Sequence, residues 1–314
     1  MSKHKAVLLE EAVRNLNLKE ESVVVDATLG SGGHSSEILK AIGENGIFVG
    51  IDVDGNNIEN FQSKVESGKL KAEGRIFLVN DNFGNIENIL EDLGIEKVDA
   101  ILADLGYSSD QLENPEYGMS FREDAPLDMR LSRKQELSAR EVVNEYSEEK
   151  LEELIREKGE ERFAKRIAGE IVRKRSLSPI STTGELAKIV ASSIPERYRS
   201  GRIHPATKTF QAIRIEVNNE LANLEKFISA SISVLASGGR LAIISFHSLE
   251  DRIVKNKFRE NARGCICPAS FPKCVCGRKP ALRLITKKPV VPDTGEIGEN
   301  PRSRSAKLRV VEKT

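Results

Sequence analysis

The stretch Val23-Val24-Val25-Asp26-Ala27-Thr28-Leu29-Gly30-Ser31-Gly32-Gly33-His34 drives a short β-branched run straight into a glycine-rich turn. A run of valines suits a strand covered on both faces of a parallel sheet. Glycines after it let the chain turn tightly and bring backbone N–H groups close to a ligand at the start of a helix. The spacing predicts that helix over Ser35 to Ala41, with Ile38 and Leu39 facing the core. Gly30, Gly32 and Gly33 do not follow the G-x-G-x-x-G spacing of dinucleotide folds, and a turn that binds nothing has the same local look.

Three more apolar runs extend the pattern. Gly46 to Asp54 reads as a second strand ending in acids about 20 positions after the glycines, where a carboxylate commonly reaches ribose hydroxyls. Asp52 is therefore a ribose-binding candidate, whereas Asp54, followed by Gly55, reads as a turn residue. Arg75 to Val79 is a third strand leading into Asn80-Asp81-Asn82-Phe83. Phe83 either packs beside a purine ring or belongs to the core. A fourth strand, Val98 to Ala103, ends in Asp104-Leu105-Gly106-Tyr107, an acid and an aromatic three apart. This tetrad resembles the Asp-Pro-Pro-Tyr of enzymes that methylate exocyclic amino groups. A ring-conjugated amine is a poor nucleophile, and a carboxylate that accepts its N–H steers it toward an electrophilic methyl; a nearby aromatic can stack an extruded base. Asp104 is the catalytic candidate, against the plainer reading of an acid in the loop after a buried strand.

Beyond Asp104 the pattern becomes helical. Leu151, Leu154 and Ile155 share one face, as do Phe163, Ile167 and Ile171, and Thr182 with Glu185 reads as a capping box ahead of Leu186, Ile189 and Val190. Pro195 closes that helix. A long helical stretch runs from about Ala206 to Leu235, and strand pattern returns at Arg240 to Phe246. The expected fold is α/β: a doubly wound, Rossmann-like sheet carrying an inserted all-helical domain.

Longer motifs sharpen this reading. Asp104-Leu105-Gly106-Tyr107-Ser108-Ser109-Asp110-Gln111-Leu112 is followed by Tyr117-Gly118-Met119-Ser120-Phe121, Pro126-Leu127-Asp128-Met129-Arg130 and His204-Pro205-Ala206-Thr207-Lys208-Thr209-Phe210-Gln211-Ala212-Ile213-Arg214. Ile244-Ser245-Phe246-His247-Ser248-Leu249-Glu250-Asp251-Arg252 and Asn300-Pro301-Arg302-Ser303-Arg304-Ser305 come later. Together, over nearly the whole chain, they resemble the bacterial ribosomal small-subunit RNA methyltransferase H family, which makes N4-methylcytidine in the decoding region of 16S rRNA. The resemblance implies S-adenosylmethionine as methyl donor, contacted by Gly32, Gly33, His34, Asp52, Phe83, Asp104 and Gln111, of which Gln111 rests on the resemblance alone. It implies 16S rRNA within the small ribosomal subunit as partner. The sheet domain is then expected at 1–111 and 215–314, with a helical, substrate-binding insert at 112–214. Tyr107 stands where the family pattern leads us to expect valine, and it is assigned no role. A DNA amino-methyltransferase and a noncatalytic assembly factor that merely binds the cofactor are the competing functions.

The formal net charge of zero hides a segregation. Lys and Arg against Asp and Glu number 16 to 32 over residues 1–155, but 14 to 6 over 156–214 and 16 to 5 over 252–314. Because phosphate contacts dominate nucleic-acid affinity, the basic segments are the expected RNA-facing surfaces. No run of ~18 apolar residues suggests a membrane span, and Met1-Ser2-Lys3-His4-Lys5 has no apolar stretch behind it, so a cytoplasmic location is expected. Oligomeric state is open, a dimer being compatible. His4, His34, His204 and His247 show no metal-ligand spacing; His204 and His247 could approach the RNA, and neither is assigned to catalysis. Cys265-Ile266-Cys267 and Cys274-Val275-Cys276 are near enough to offer four thiolates to one zinc ion, but C-x-C is tighter than the usual knuckle. The expectation is a reduced loop and no metal.

Overall fold

A computed structural model of the chain describes residues 6–70, 74–199, 204–265, 267–268, 271–273 and 275–314. Residues 1–5, with His4, and Cys274 lie outside these. The chain forms two compact units, Met1–Gly106 with Leu221–Thr314, and Tyr107–Glu220.

The first unit is built on a seven-stranded sheet. Its strands are β1 (Val23–Asp26), β2 (Ile47–Asp52), β3 (Arg75–Asn80), β4 (Val98–Asp104), β5 (Leu235–Ser245), β6 (Leu282–Leu284) and β7 (Lys307–Lys313), in the order β3-β2-β1-β4-β5-β7-β6. The first five run parallel, and β7 is antiparallel to both β5 and β6. Successive side chains of a strand point to opposite faces, and here both faces are covered. Val24, Phe48, Ala100 and Leu102 pack with Leu16, Ile38 and Phe61 on one face. Val25, Val49, Ile101 and Ala103 pack with Phe227, Val254 and Phe258 on the other. That double burial is why the strands read as unbroken apolar runs and not as alternation. Sequence order reverses between β1 and β4, the point at which open α/β sheets bind ligands beyond their carboxyl ends.

The second unit has its own core, in which Val142, Leu151, Ile155, Ile167, Ile171, Leu186, Val190 and Ile213 are buried. Its helices of ten residues or more are Glu148–Glu157, Ala164–Arg175, Thr183–Ser193 and Thr207–Val217. Thr182 and Glu185 form the capping box at the head of the third of these, satisfying N–H groups the first helical turn leaves open. The unit reaches a few residues beyond each end of the 112–214 insert drawn from sequence. The single helical stretch expected from Ala206 to Leu235 is two helices, Thr207–Val217 and Glu220–Val234. Between them Asn219 takes a left-handed φ of 49°, a conformation asparagine tolerates better than most residues.

Candidate active site

The glycine turn after β1 is fixed by hydrogen bonds to two buried carboxylates and to a neighbouring strand end. The Gly30 N–H donates to Asp52 Oδ2 at 2.7 Å, tying the turn to the end of β2. The same carboxylate accepts from the Asp54 N–H at 2.9 Å and from Asn57 Nδ2 at 3.0 Å. Burial pushes Asp52 up to about 6, against the pull of its hydrogen bonds from Asp54, Gly30 and Asn57. Above that pH it is ionised. With two oxygens offering about four acceptor sites, three N–H donors leave room for a hydroxyl.

Asp26 ends β1 in the same manner. It is fully buried, accepts from the Ser35 hydroxyl at 2.5 Å and the Thr28 N–H at 3.2 Å, and burial pushes it up to about 6 as well. Asp26 is assigned no role from sequence, since an aspartate ahead of a glycine turn reads the same whether buried or exposed. The Thr28 hydroxyl in turn accepts from the Asp104 N–H at 2.6 Å, locking the turn to the end of β4.

Gly32 has φ 82°, and a Cβ placed there would lie 2.4 Å from the Phe61 ring. Glycine is therefore required by the close approach of Phe61 as well as by the turn. Gly33 opens the helix Gly33–Ala41, and His34 on its first turn is buried. His34 Nε2 lies 3.1 Å from the Val7 carbonyl, which assigns the proton to Nε2 and a lone pair to Nδ1. Burial lowers the imidazole pKa below its usual 6.5, so the ring is neutral at physiological pH. Its Nδ1 stands 3.7 Å from Asp104 Oδ2, a neutral ring beside a carboxylate and not an ion pair.

The remaining candidates are dispersed. Phe83 is half-buried, with its ring edge-to-face on Phe227 at a centroid distance of 5.0 Å, so the core reading accounts for at least one side of it. Gln111 belongs to the second unit, where its Oε1 accepts from the Ser108 N–H at 3.1 Å and its own N–H donates to Ser108 Oγ at 3.1 Å. Tyr107, three residues after Asp104 in sequence, also falls in that unit. Its hydroxyl donates to Glu220 at 2.7 Å and the Arg214 guanidinium sits over its ring at 4.2 Å, so one ring face is already occupied. His247 caps the helix Ser248–Ala262 in a capping box with Glu250, which accounts for it structurally. A cavity lined by Glu20, Glu21, Leu39, Lys40 and Gly43 opens by the amino ends of β1 and β2 and contains none of these groups.

Among the described residues no helix is long and apolar enough to cross a membrane. The Ribosomal RNA small subunit methyltransferase H of Clostridium botulinum (strain Kyoto / Type A2) is 53% identical over 312 residues, 99% of this chain and 99% of its own. The proteins of the same name from Halothermothrix orenii, 50% identical over 313 residues (100% and 99%), and Clostridioides difficile (strain 630), 49% over 310 (99% and 98%), match similarly. Among solved structures, an rRNA methylase from Streptococcus thermophilus aligns over 97% of this chain and 92% of its own at 12% identity, with a TM-score of 0.40, too slight a likeness to carry an argument. A family model described as the MraW methylase family matches residues 1–314, and this chain belongs to that family.

Proposed function

We propose that this protein transfers the methyl group of S-adenosylmethionine to the N4 amino nitrogen of a cytosine in small-subunit rRNA, cytosine 1402 by family resemblance. The observation that carries the reading is Asp104, an acid at the carboxyl end of β4 beside the chain reversal, with the lone pair of His34 Nδ1 3.7 Å from its carboxylate. The names of the relatives support rRNA of the small subunit as substrate.

The residues present fit the methyl donor. Asp52 retains acceptor capacity for a ribose hydroxyl and is ionised above about pH 6. Gly32, Gly33 and His34 form the turn against which the methionine end would lie, half-buried Phe83 is the candidate for the adenine, and Gln111 is a candidate by family resemblance alone. S-adenosylmethionine supplies an electrophilic methyl on a sulfonium, a good leaving group. Asp104 accepts one N–H of the exocyclic amine and turns its nitrogen lone pair toward that carbon. His34, neutral and unprotonated at Nδ1, provides a second acceptor beside it. The methylated nitrogen would be acidic, and Asp104, His34 Nδ1 or solvent would take its proton. The helical unit, basic over 156–214, is the part suited to holding the rRNA.

The test uses purified small subunits lacking the modification, isotopically labelled donor, and mass spectrometry of the digested rRNA. The expected product is a single N4-methylcytidine. Asp104→Ala is expected to lower turnover by about 10²–10⁴-fold while the protein stays folded. Unchanged turnover would remove Asp104 from the chemistry. Equal transfer to duplex DNA would favour an amino-methyltransferase of DNA, and donor binding without product on any RNA would favour an assembly factor.

A further inference from the structure

Three thiols play no part in this chemistry. The sulfurs of Cys265, Cys267 and Cys276 lie within 4.8 Å of one another, and Cys265 Sγ is 3.9 Å from Cys276 Sγ. At a zinc–sulfur bond of about 2.3 Å, the corners of a tetrahedron are about 3.8 Å apart. The Cys265–Cys276 pair is thus close to the separation that one ion would impose, and the Cys267 sulfur lies within 4.8 Å of both. Two backbone N–H groups point at them: Cys267 N donates to Cys265 Sγ at 3.4 Å and Val275 N to Cys267 Sγ at 3.4 Å. Such bonds are stronger to a thiolate than to a neutral thiol.

The surrounding chain supplies an independent argument. Between the helix Ser248–Ala262 and β6, none of the described residues from 263 to 280 is buried, and Phe271 and Val275 are exposed. The ends of the segment are anchored, Arg278 donating to the Glu260 carbonyl at 2.9 Å and Ala281 N to the Asn261 carbonyl at 2.9 Å. Among its described residues no apolar side chain is buried that could hold it. Small units without a core are commonly stapled by disulfides or metal. Among the described residues, the three sulfurs meet at one place in this loop.

We infer that Cys265, Cys267 and Cys276 bind one zinc ion as a structural site. Cys274, the remaining cysteine of the sequence, lies outside the described residues. Tetrahedral thiolate sets select zinc or iron–sulfur centres over hard cations. Each thiol releases its proton on binding, so affinity rises with pH. The site ties the C-terminal end of Ser248–Ala262 to the approach to β6. It is independent of the methyl-transfer reading. It also reverses the preference drawn from C-x-C spacing alone, because spacing does not show where the sulfurs meet.

The experiment takes the full chain, purified without added zinc or chelator, and measures metal by plasma mass spectrometry together with thiol content. One zinc per chain, released on titration with a mercurial, is expected. The Cys265→Ser/Cys276→Ser double variant should lose the zinc and become sensitive to proteolysis within 263–281, its far-ultraviolet dichroism unchanged. In case that variant fails to fold, cobalt substitution of the wild-type chain gives a second reading: a sulfur-to-cobalt charge-transfer band that zinc displaces. Absence of zinc with no cobalt band overturns the proposal. So does zinc retained by a folded double variant, a disulfide found by mass between any of the three cysteines, or iron in place of zinc.

Discussion

The glycine turn after β1 and the cysteine loop before β6 are both irregular segments of the sheet unit, and they are held by different means. In the turn, Gly30 N reaches Asp52, Thr28 N reaches Asp26, Gly32 N reaches the Leu29 carbonyl, and the Asp104 N–H closes on Thr28 Oγ1. Beneath it Phe61 packs where a side chain at position 32 would sit. Burial and hydrogen bonding overdetermine that conformation, as a site that positions reacting groups requires. Among the described residues of the cysteine loop none is buried, and N–H groups are aimed at sulfur. The first segment is ordered by what it packs against; the second is ordered by what its thiols hold.

The sharpest way to break this comparison is to add a methyl group to the turn. Gly32→Ala meets the Phe61 ring at 2.4 and 2.5 Å and keeps φ at 82°. Left-handed strain of about 1–2 kcal/mol adds to overpacking of about 1–3 kcal/mol. A loss on the order of 3 kcal/mol is expected, read as a fall in the urea midpoint without a change in slope. Stability within about 0.5 kcal/mol of wild type would mean that the turn is not held by packing and that the contrast fails.

How much of this could be read from the chain follows from the same physics. The apolar runs of β1, β2 and β4 are legible because both faces of those strands are buried, and Asp104 is a candidate because its tetrad with Tyr107 resembles that of amino-methylating enzymes. Asp26 was not legible as a buried group, since an aspartate before a turn looks the same whether its oxygens face water or Ser35. The Phe83–Phe227 pair joins residues far apart in sequence, and no periodicity announces it. The break at Asn218–Asn219 carries neither glycine nor proline, so the helical pattern runs through it. Gln111 was reached by resemblance alone, its buried bond with Ser108 being a local matter no motif chemistry requires.

A second, smaller test concerns the charge buried under the turn. An unfolded Asp26 titrates near 3.8 and the folded one at about 6. Below about pH 4 both states hold the proton and the group is neutral to stability; between about 4 and 6 only the folded state holds it. Stability therefore falls as pH rises through that window, and the cost remains above it. The full shift corresponds to about 3 kcal/mol. Asp26→Asn gives up one acceptor, which costs about 1 kcal/mol, so the variant is expected to be about 2 kcal/mol more stable than wild type at pH 8 and no better at pH 4. His34, whose pKa is lowered by burial and raised by the charge on Asp26, pulls the other way as pH drops below 6.5, and loss of that charge in Asp26→Asn lowers its pKa further. Parallel denaturation curves with the same pH slope for both proteins would show that the turn is not carrying a buried charge.

The smallest effect is expected in the cysteine loop, and it completes the comparison. Gly277, next to Cys276, also has a positive φ, 60°, but a Cβ there meets nothing within 4 Å. Gly277→Ala thus carries the backbone strain of Gly32→Ala without its collision, about 1–2 kcal/mol confined to a segment none of whose described residues is buried. Because the loop opens without unfolding the sheet, the global urea midpoint should not move, and the strain should appear only as faster proteolysis within 263–281 and weaker retention of zinc against a chelator. If Gly277→Ala instead lowers the global midpoint as far as Gly32→Ala does, the loop is part of the cooperative core, and its order needs no metal to explain it.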